Sequence, residues 1–106
     1  MMEQTKAARD VLAERERQMA AEGWTTEHDD LYVDGEMGAA AACYALSGSR
    51  WTHRLIVPLT VLWPWSLNWW KPSTPRRDLV KAGALILAEI ERLDRASAKE
   101  ATHDRD

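Results

Sequence analysis

From Lys6 onward the chain keeps the rhythm of an amphipathic helix, with Ala8, Val11, Leu12 and Met19 toward one side and Lys6, Asp10, Glu14 and Arg17 toward the other. Thr5 is placed to cap this helix, and Gly23 to end it after about Ala21. After a polar segment from Thr25, Asp34 is placed to cap a second helix, roughly Gly35 to Leu46. Its Ala39-Ala40-Ala41-Ala42 centre has no bulk on any side, so another backbone can approach closely and the helix is expected inside the bundle. Ser47-Gly48-Ser49 terminates it. The stretch from Trp51 to Trp70 suits either a short strand or a broken helix, and loop with short helical turns is the favoured reading. Ser73-Thr74-Pro75 starts the last helix, with proline in the first helical position. Leu79, Val80, Ala82, Ala84, Leu85, Ile86, Leu87, Ala88, Ile90 and Leu93 make it apolar nearly all round until about Ala88, which predicts a central element.

Three main helices with no convincing strand pairs or hairpin turns give an all-α fold, a small helical bundle with a Trp/Pro-rich connecting loop. A chain of 106 residues supports one core, so residues 1–95 form a single domain, and the charged tail 96–106 is expected to fray. That core is thin for a monomer. Completion by a second copy, as a homodimer or higher homo-oligomer, is the expectation.

Hydrophobic residues make up 45% of the chain, which fits a globular domain, and the formal charge of -3 supplies no attraction to a nucleic-acid backbone. Cys43 is the only cysteine, so no internal disulfide forms, and a reducing cytosol is implied. Its alanine neighbours predict a buried, inert thiol. Glu3, Lys6, Arg9 and Asp10 stand where a secretory signal would need an apolar core. The longest apolar stretch, Leu55 to Trp65, is broken by Pro58 and Pro64 and is too short to span a bilayer, so no membrane partner is expected.

Candidate chemistry gathers in Glu27-His28-Asp29-Asp30, Asp34 and Glu36, with Asp78 opening the last helix. Such carboxylates repel one another unless a cation holds them, and hard divalent ions favour oxygen ligands; the other reading is a solvated acidic loop. The six tryptophans are the second unusual feature, with no Phe in the chain and four of the six between Trp63 and Trp70. They form either a proline-stapled cover on the bundle or a surface on which one or two rings stack on a nucleobase while Lys71, Arg76 and Arg77 meet phosphate. Arginine in a first helical turn opposes the helix dipole and asks for an anion or a carboxylate, Asp78 being the near one. If the last two main helices pack together, Glu36 and Asp78 can approach near their ends. Neighbouring carboxylates would make His28 an acid–base group or a pH-sensitive contact, against the plainer reading of a surface histidine; His53 reads as surface, His103 is set aside and Tyr44 reads as core. Glu14 to Arg17 reads as a solvated face, with Lys6–Asp10 and Glu14–Arg17 as possible ion pairs.

Glu14-Arg15-Glu16-Arg17-Gln18, Gly23-Trp24-Thr25-Thr26-Glu27-His28-Asp29-Asp30, Gly35-Glu36, the Trp-Pro-Trp segment and Arg77-Asp78-Leu79-Val80-Lys81-Ala82-Gly83-Ala84-Leu85-Ile86 through Arg95 resemble a group of small phage-encoded proteins. The resemblance covers nearly the whole chain except Arg50 to Leu62. More distantly, the order of a charge-rich helix, an acidic loop with His, a Glu-led helix and a final apolar helix is similar to phage MazG-like proteins. That resemblance implies an all-α, dimeric or tetrameric enzyme that cleaves nucleoside triphosphates to monophosphate and pyrophosphate with magnesium.

The family's metal site uses a Glu-x-x-Glu pair and a Glu-x-x-Asp pair, which here would fall on Glu36 with Ala39 and on Asp78 with Lys81. One carboxylate of each pair is present, and a charged lysine cannot ligate Mg²⁺. Either His28, Asp29 and Asp30 supply substitute ligands, for a magnesium set of Asp29, Asp30, Glu36 and Asp78, or hydrolysis is lost and binding retained, with Lys81 standing in for metal charge. The resemblance thus implies a phage accessory protein in the host cytosol that binds a phosphorylated nucleotide through Trp24, His28, Lys71, Arg76, Arg77 and Lys81 and sequesters a host signal. The alternatives are a Mg-dependent nucleoside triphosphate pyrophosphohydrolase and a helical adaptor that docks on a host protein through exposed Trp faces.

Overall fold

A computed structural model describes residues 3–104, and these form an all-helical bundle with no strand. Helix α1 spans Lys6–Ala21, α2 Thr26–Asp29, α3 Glu36–Leu46, α4 Leu59–Leu62 and α5 Pro75–Asp104. Short 3-10 turns at Arg50–Arg54 and Leu67–Trp69 complete the connection, so the segment 51–70 is loop and short helical turns, with no strand. No described helix is long and apolar enough to cross a membrane. The side chain of His103 and the last two residues of the tail lie outside the described residues.

The caps follow the sequence closely. Thr5 Oγ1 accepts from Ala8 N–H at 3.1 Å, and Thr74 Oγ1 accepts from Arg77 N–H at 3.2 Å in front of Pro75, satisfying amides that a helix start leaves open. One cap differs. Gly35, at φ 84°, is the N-cap of α3 in place of Asp34, and the Glu36 carboxylate reaches back to the Asp34 N–H at 2.7 Å. The left-handed backbone needed there suits glycine and disfavours aspartate.

Helix α5 is the central element and packs on α1, α2 and α3, most extensively on α3. The alanines explain that contact: Ala40 and Ala41 on α3 and Ala82 and Ala84 on α5 are all buried, so the two backbones lie close. Leu85, Cys43, Tyr44 and Trp63 fill the rest of the core. Cys43 is 1% exposed with its Sγ 3.8 Å from the Leu59 carbonyl, and burial pushes its thiol pKa up, as suits an inert thiol.

A further observation departs from the sequence reading. Glu14 and Arg15, expected on a solvated face, are buried at 2% and 4% exposure, while the Lys6–Asp10 pair forms in the open at 2.7 Å. Helix α5 runs on to Asp104, with residues 97–102 exposed.

Candidate functional site

Trp24, just beyond Gly23 with φ 72°, is placed by a hydrogen bond from its N–H to the Gln18 carbonyl at 3.0 Å. It faces a cavity of about 310 Å³ between the end of α1, the α2 turn, the Trp/Pro loop and α5. Four aromatic rings, Trp24, Tyr32, Trp65 and Trp69, wall it; Met37 and Leu85 lie beneath; Glu22, His28, Asp29 and Ser66 bring the polar groups. The rings touch one another. Trp24 lies 6.0 Å from Trp65 and 6.4 Å from Trp69 between ring centroids, and Tyr32 lies 5.1 Å from Trp65, all tilted, as ring quadrupoles favour.

What holds the loop in this shape is a buried tyrosine. Tyr44 donates its hydroxyl to the Trp69 carbonyl at 3.4 Å and accepts from the Lys71 N–H at 3.2 Å, while Trp63 Nε1 donates to the Ser66 carbonyl at 3.0 Å. Trp63 and Trp70 pack on Tyr44 at 5.4 and 4.9 Å. Trp63 is therefore core, as the cover reading expects, whereas Trp65 and Trp69 stand at the cavity. Trp65 Nε1 and His28 Nδ1 are buried and make no hydrogen bond, which leaves two polar atoms of the cavity-lining residues unsatisfied. The other His28 nitrogen, Nε2, pairs with the Tyr32 hydroxyl at 3.2 Å.

The acidic residues each have their own partner. Asp29 accepts from Arg15 at 2.8 Å with both side chains buried, and Arg15 also reaches Glu91 at 3.2 Å. Burial pushes the Asp29 carboxyl up from its ordinary value, against the pull of Arg15. Asp30 pairs with Arg95 at 2.7 Å, and that guanidinium holds its carboxyl below the usual value. Glu36 is bound to the Asp34 amide, and Asp78, 1% exposed, accepts from the Ser73 amide at 2.8 Å as part of the α5 cap. The magnesium set Asp29, Asp30, Glu36 and Asp78 is thus divided among four partners, and no three described His, Cys, Asp or Glu side chains form a group that could hold a metal ion. As placed, these residues do not fit an octahedral magnesium site, and no hydrolytic step is derived through one.

The cations divide in the same way. Arg77 pairs with buried Glu14 and Arg76 with Asp10 at 2.9 Å, so carboxylates of α1 compensate the two arginines at the start of α5. Glu14 also takes a bidentate bond from Arg17 at 2.8 and 2.9 Å and one from Gln18 at 3.1 Å. Burial alone would raise this carboxyl; the two guanidiniums outweigh it and hold Glu14 below its ordinary value. Lys71 and Lys81 rest instead on neutral groups. Lys81 Nζ donates to the Lys71 carbonyl at 2.7 Å and lies 5.3 Å from the Tyr44 ring, and Lys71 Nζ lies 5.6 Å from the Trp69 ring. Both lysines line a small hollow of about 40 Å³ that shares Glu22, Trp24 and Trp69 with the large cavity.

Of the residues named from sequence, Trp24 and His28 line the cavity, Lys71 and Lys81 the hollow beside it, and Arg76 and Arg77 are engaged with α1. Tyr32, Ser66 and Glu22 were not singled out. Four tryptophans within eight residues could have pointed to Trp65 and Trp69; nothing local marks Tyr32 or Glu22. The chain matches no protein-family model, no curated protein and no solved structure.

Proposed function

We propose that the protein binds a phosphorylated nucleotide, with the base among Trp24, Tyr32, Trp65 and Trp69 and the phosphate toward Lys71 and Lys81. One observation carries this reading: an aromatic cavity and a hollow bearing two lysines that form no salt bridge among the described residues adjoin through Glu22, Trp24 and Trp69. A volume of about 310 Å³ lies near the lower end of the roughly 300–1,000 Å³ usual for ligand pockets, enough for one base and its sugar. Every base has a π-face, and stacking on such rings contributes about 1–3 kcal/mol per base. Ammonium groups whose contacts are a carbonyl and ring faces remain available to phosphate oxygens, with charge-assisted bonds of about 1.5–3 kcal/mol. Glu22 lines both the cavity and the hollow, and with its Oε1 held by Arg17 at 3.0 Å it offers Oε2 as an acceptor for a sugar hydroxyl. The phosphate role passes from Arg76 and Arg77, neutralised by Asp10 and Glu14, to the lysines.

Binding without turnover is the form of the proposal, because the carboxylates that a MazG-like hydrolase would use are occupied by Arg15, Arg95 and backbone amides. On the MazG-like reading of the sequence, such a protein is a phage accessory factor that sequesters a host nucleotide signal in the cytosol. Titration of tryptophan fluorescence with nucleoside mono-, di- and triphosphates tests it, with recovery of the ligand after denaturation. Saturable quenching and an intact ligand are expected. Magnesium-dependent release of pyrophosphate would move the protein to the hydrolase class, and no quenching across the panel would remove the nucleotide.

A further inference from the structure

Helix α5 leaves one face uncovered in the protomer, and that face is apolar. Leu79, Ile86, Ile90 and Leu93 are exposed by 57%, 48%, 49% and 51%, and their spacing of seven, four and three residues puts them on one stripe with the period of a helix–helix seam. The stripe is symmetric: Leu79 precedes Ile86 by seven residues, and Leu93 follows it by seven. One edge of it carries opposite charges at its two ends. Arg76 and Asp94 are eighteen residues apart, five full turns at 3.6 residues per turn, and so share that edge.

We propose that this face pairs with the same face of a second copy of the chain, antiparallel about a twofold axis at Ile86. An isologous interface requires one surface to be complementary to itself, and Leu79, Ile86 and Leu93 meet that condition. In that register Leu79 meets Leu93 of the partner subunit, and Ile86 meets Ile86 of the partner subunit. A twofold axis perpendicular to the two helices keeps like edges together. Arg76 lies ten residues before Ile86 and Asp94 eight after, so Arg76 falls about 3 Å along the axis from Asp94 of the partner subunit. A parallel pair would carry this edge to opposite sides of the seam in the two copies and leave Arg76 without Asp94 of the partner subunit, so charge selects the antiparallel arrangement. The guanidinium has five N–H donors, and its bond to Asp10 at 2.9 Å leaves others for a second carboxylate. The ligand cavity lies on the far side of the bundle's packed core from this stripe only in part: Leu85 contributes its buried side to the cavity, whereas Leu79, Ile86, Ile90 and Leu93 contribute nothing. The pairing therefore stands or falls independently of the nucleotide.

Sedimentation equilibrium of the full chain at micromolar concentration tests the pairing, and twice the 12.1 kDa chain mass is the expected result. Ile86→Glu should return the single-chain mass with unchanged helical circular dichroism. Orientation is read by disulfide trapping, since the native Cys43 is buried. Leu79→Cys mixed with Leu93→Cys should give the mixed disulfide dimer, with little self-linked dimer of either variant. A single-chain mass for the native protein, a dimer that survives Ile86→Glu, or self-linking of Leu79→Cys in preference to the mixed product would each overturn the proposal.

Discussion

Arg15 and Asp29 meet through a 2.8 Å bond between Nη2 and Oδ2 with both side chains almost wholly buried, 5% and 4% exposed. The pair ties α1 to the α2 turn directly beside the ring cavity, because Asp29 lines that cavity and Arg15 Nη1 also points to the Trp24 carbonyl at 3.5 Å. Removing Arg15 leaves the Asp29 carboxylate desolvated without its hydrogen-bonded partner, whereas removing Asp29 leaves Arg15 the Glu91 carboxylate at 3.2 Å.

Arg15→Ala is therefore expected to destabilise the fold by about 3–5 kcal/mol, the usual cost of stranding one member of a buried pair. Asp29→Asn should cost less, since Arg15 keeps Glu91 at 3.2 Å and the amide is neutral. Urea denaturation followed by circular dichroism measures both. Equal small losses would mean that the pair is not buried in solution.

Acid stability follows from Glu14. Its folded pKa is depressed below the ordinary 4.5, so the stability it contributes is complete above that value and is lost as the pH falls through the folded value. Asp29 has the opposite sign: its raised folded pKa contributes stability that is complete below 3.8 and is lost as the pH rises. Native protein should lose thermal stability as the pH drops below about 4.5, and Glu14→Gln should flatten that dependence while lowering stability at neutral pH. An unchanged slope in Glu14→Gln would remove the Glu14–Arg77–Arg17 cluster from the account.

Helix identity and the small-residue contact were legible because they are local. The Thr5 and Thr74-Pro75 caps, the alanines of α3 and the Lys6–Asp10 pair each lie within a few residues of one another. Glu14 is the opposite case. Its i,i+3 neighbour Arg17 suggests a surface pair, and Arg77, the partner that takes it inside, lies 63 residues away. The same distance hid the fate of the arginines: their need for an anion was legible from the helix dipole, but that α1 supplies it depends on α1 lying along α5. In the site, the residue types were visible in Trp24, His28, Lys71 and Lys81. Their division into a ring cavity and a lysine hollow was not, because it rests on how Tyr44 anchors the loop.

Tyr44→Phe tests that anchor. It deletes one acceptor for the Lys71 amide and one donor to the Trp69 carbonyl, for an expected stability loss of about 1–2 kcal/mol. The sharper readout is the near-ultraviolet circular dichroism of the tryptophan cluster, which should weaken while the far-ultraviolet helical signal stays. A near-ultraviolet spectrum identical to native would mean that ring packing alone shapes the loop.

The most direct measurement is a calorimetric titration of the native chain, Trp65→Ala and Lys81→Ala with a nucleoside 5′-phosphate and with the matching nucleoside. Native protein should bind the phosphate form more tightly than the nucleoside. Trp65→Ala should weaken both by roughly 5- to 150-fold, the range that follows from about 1–3 kcal/mol of stacking. Lys81→Ala should erase the preference for the phosphate and leave nucleoside binding intact. Equal affinity for the two ligands in the native protein, or native affinity in Trp65→Ala, would contradict a base held among Trp24, Tyr32, Trp65 and Trp69 with its phosphate on the lysines.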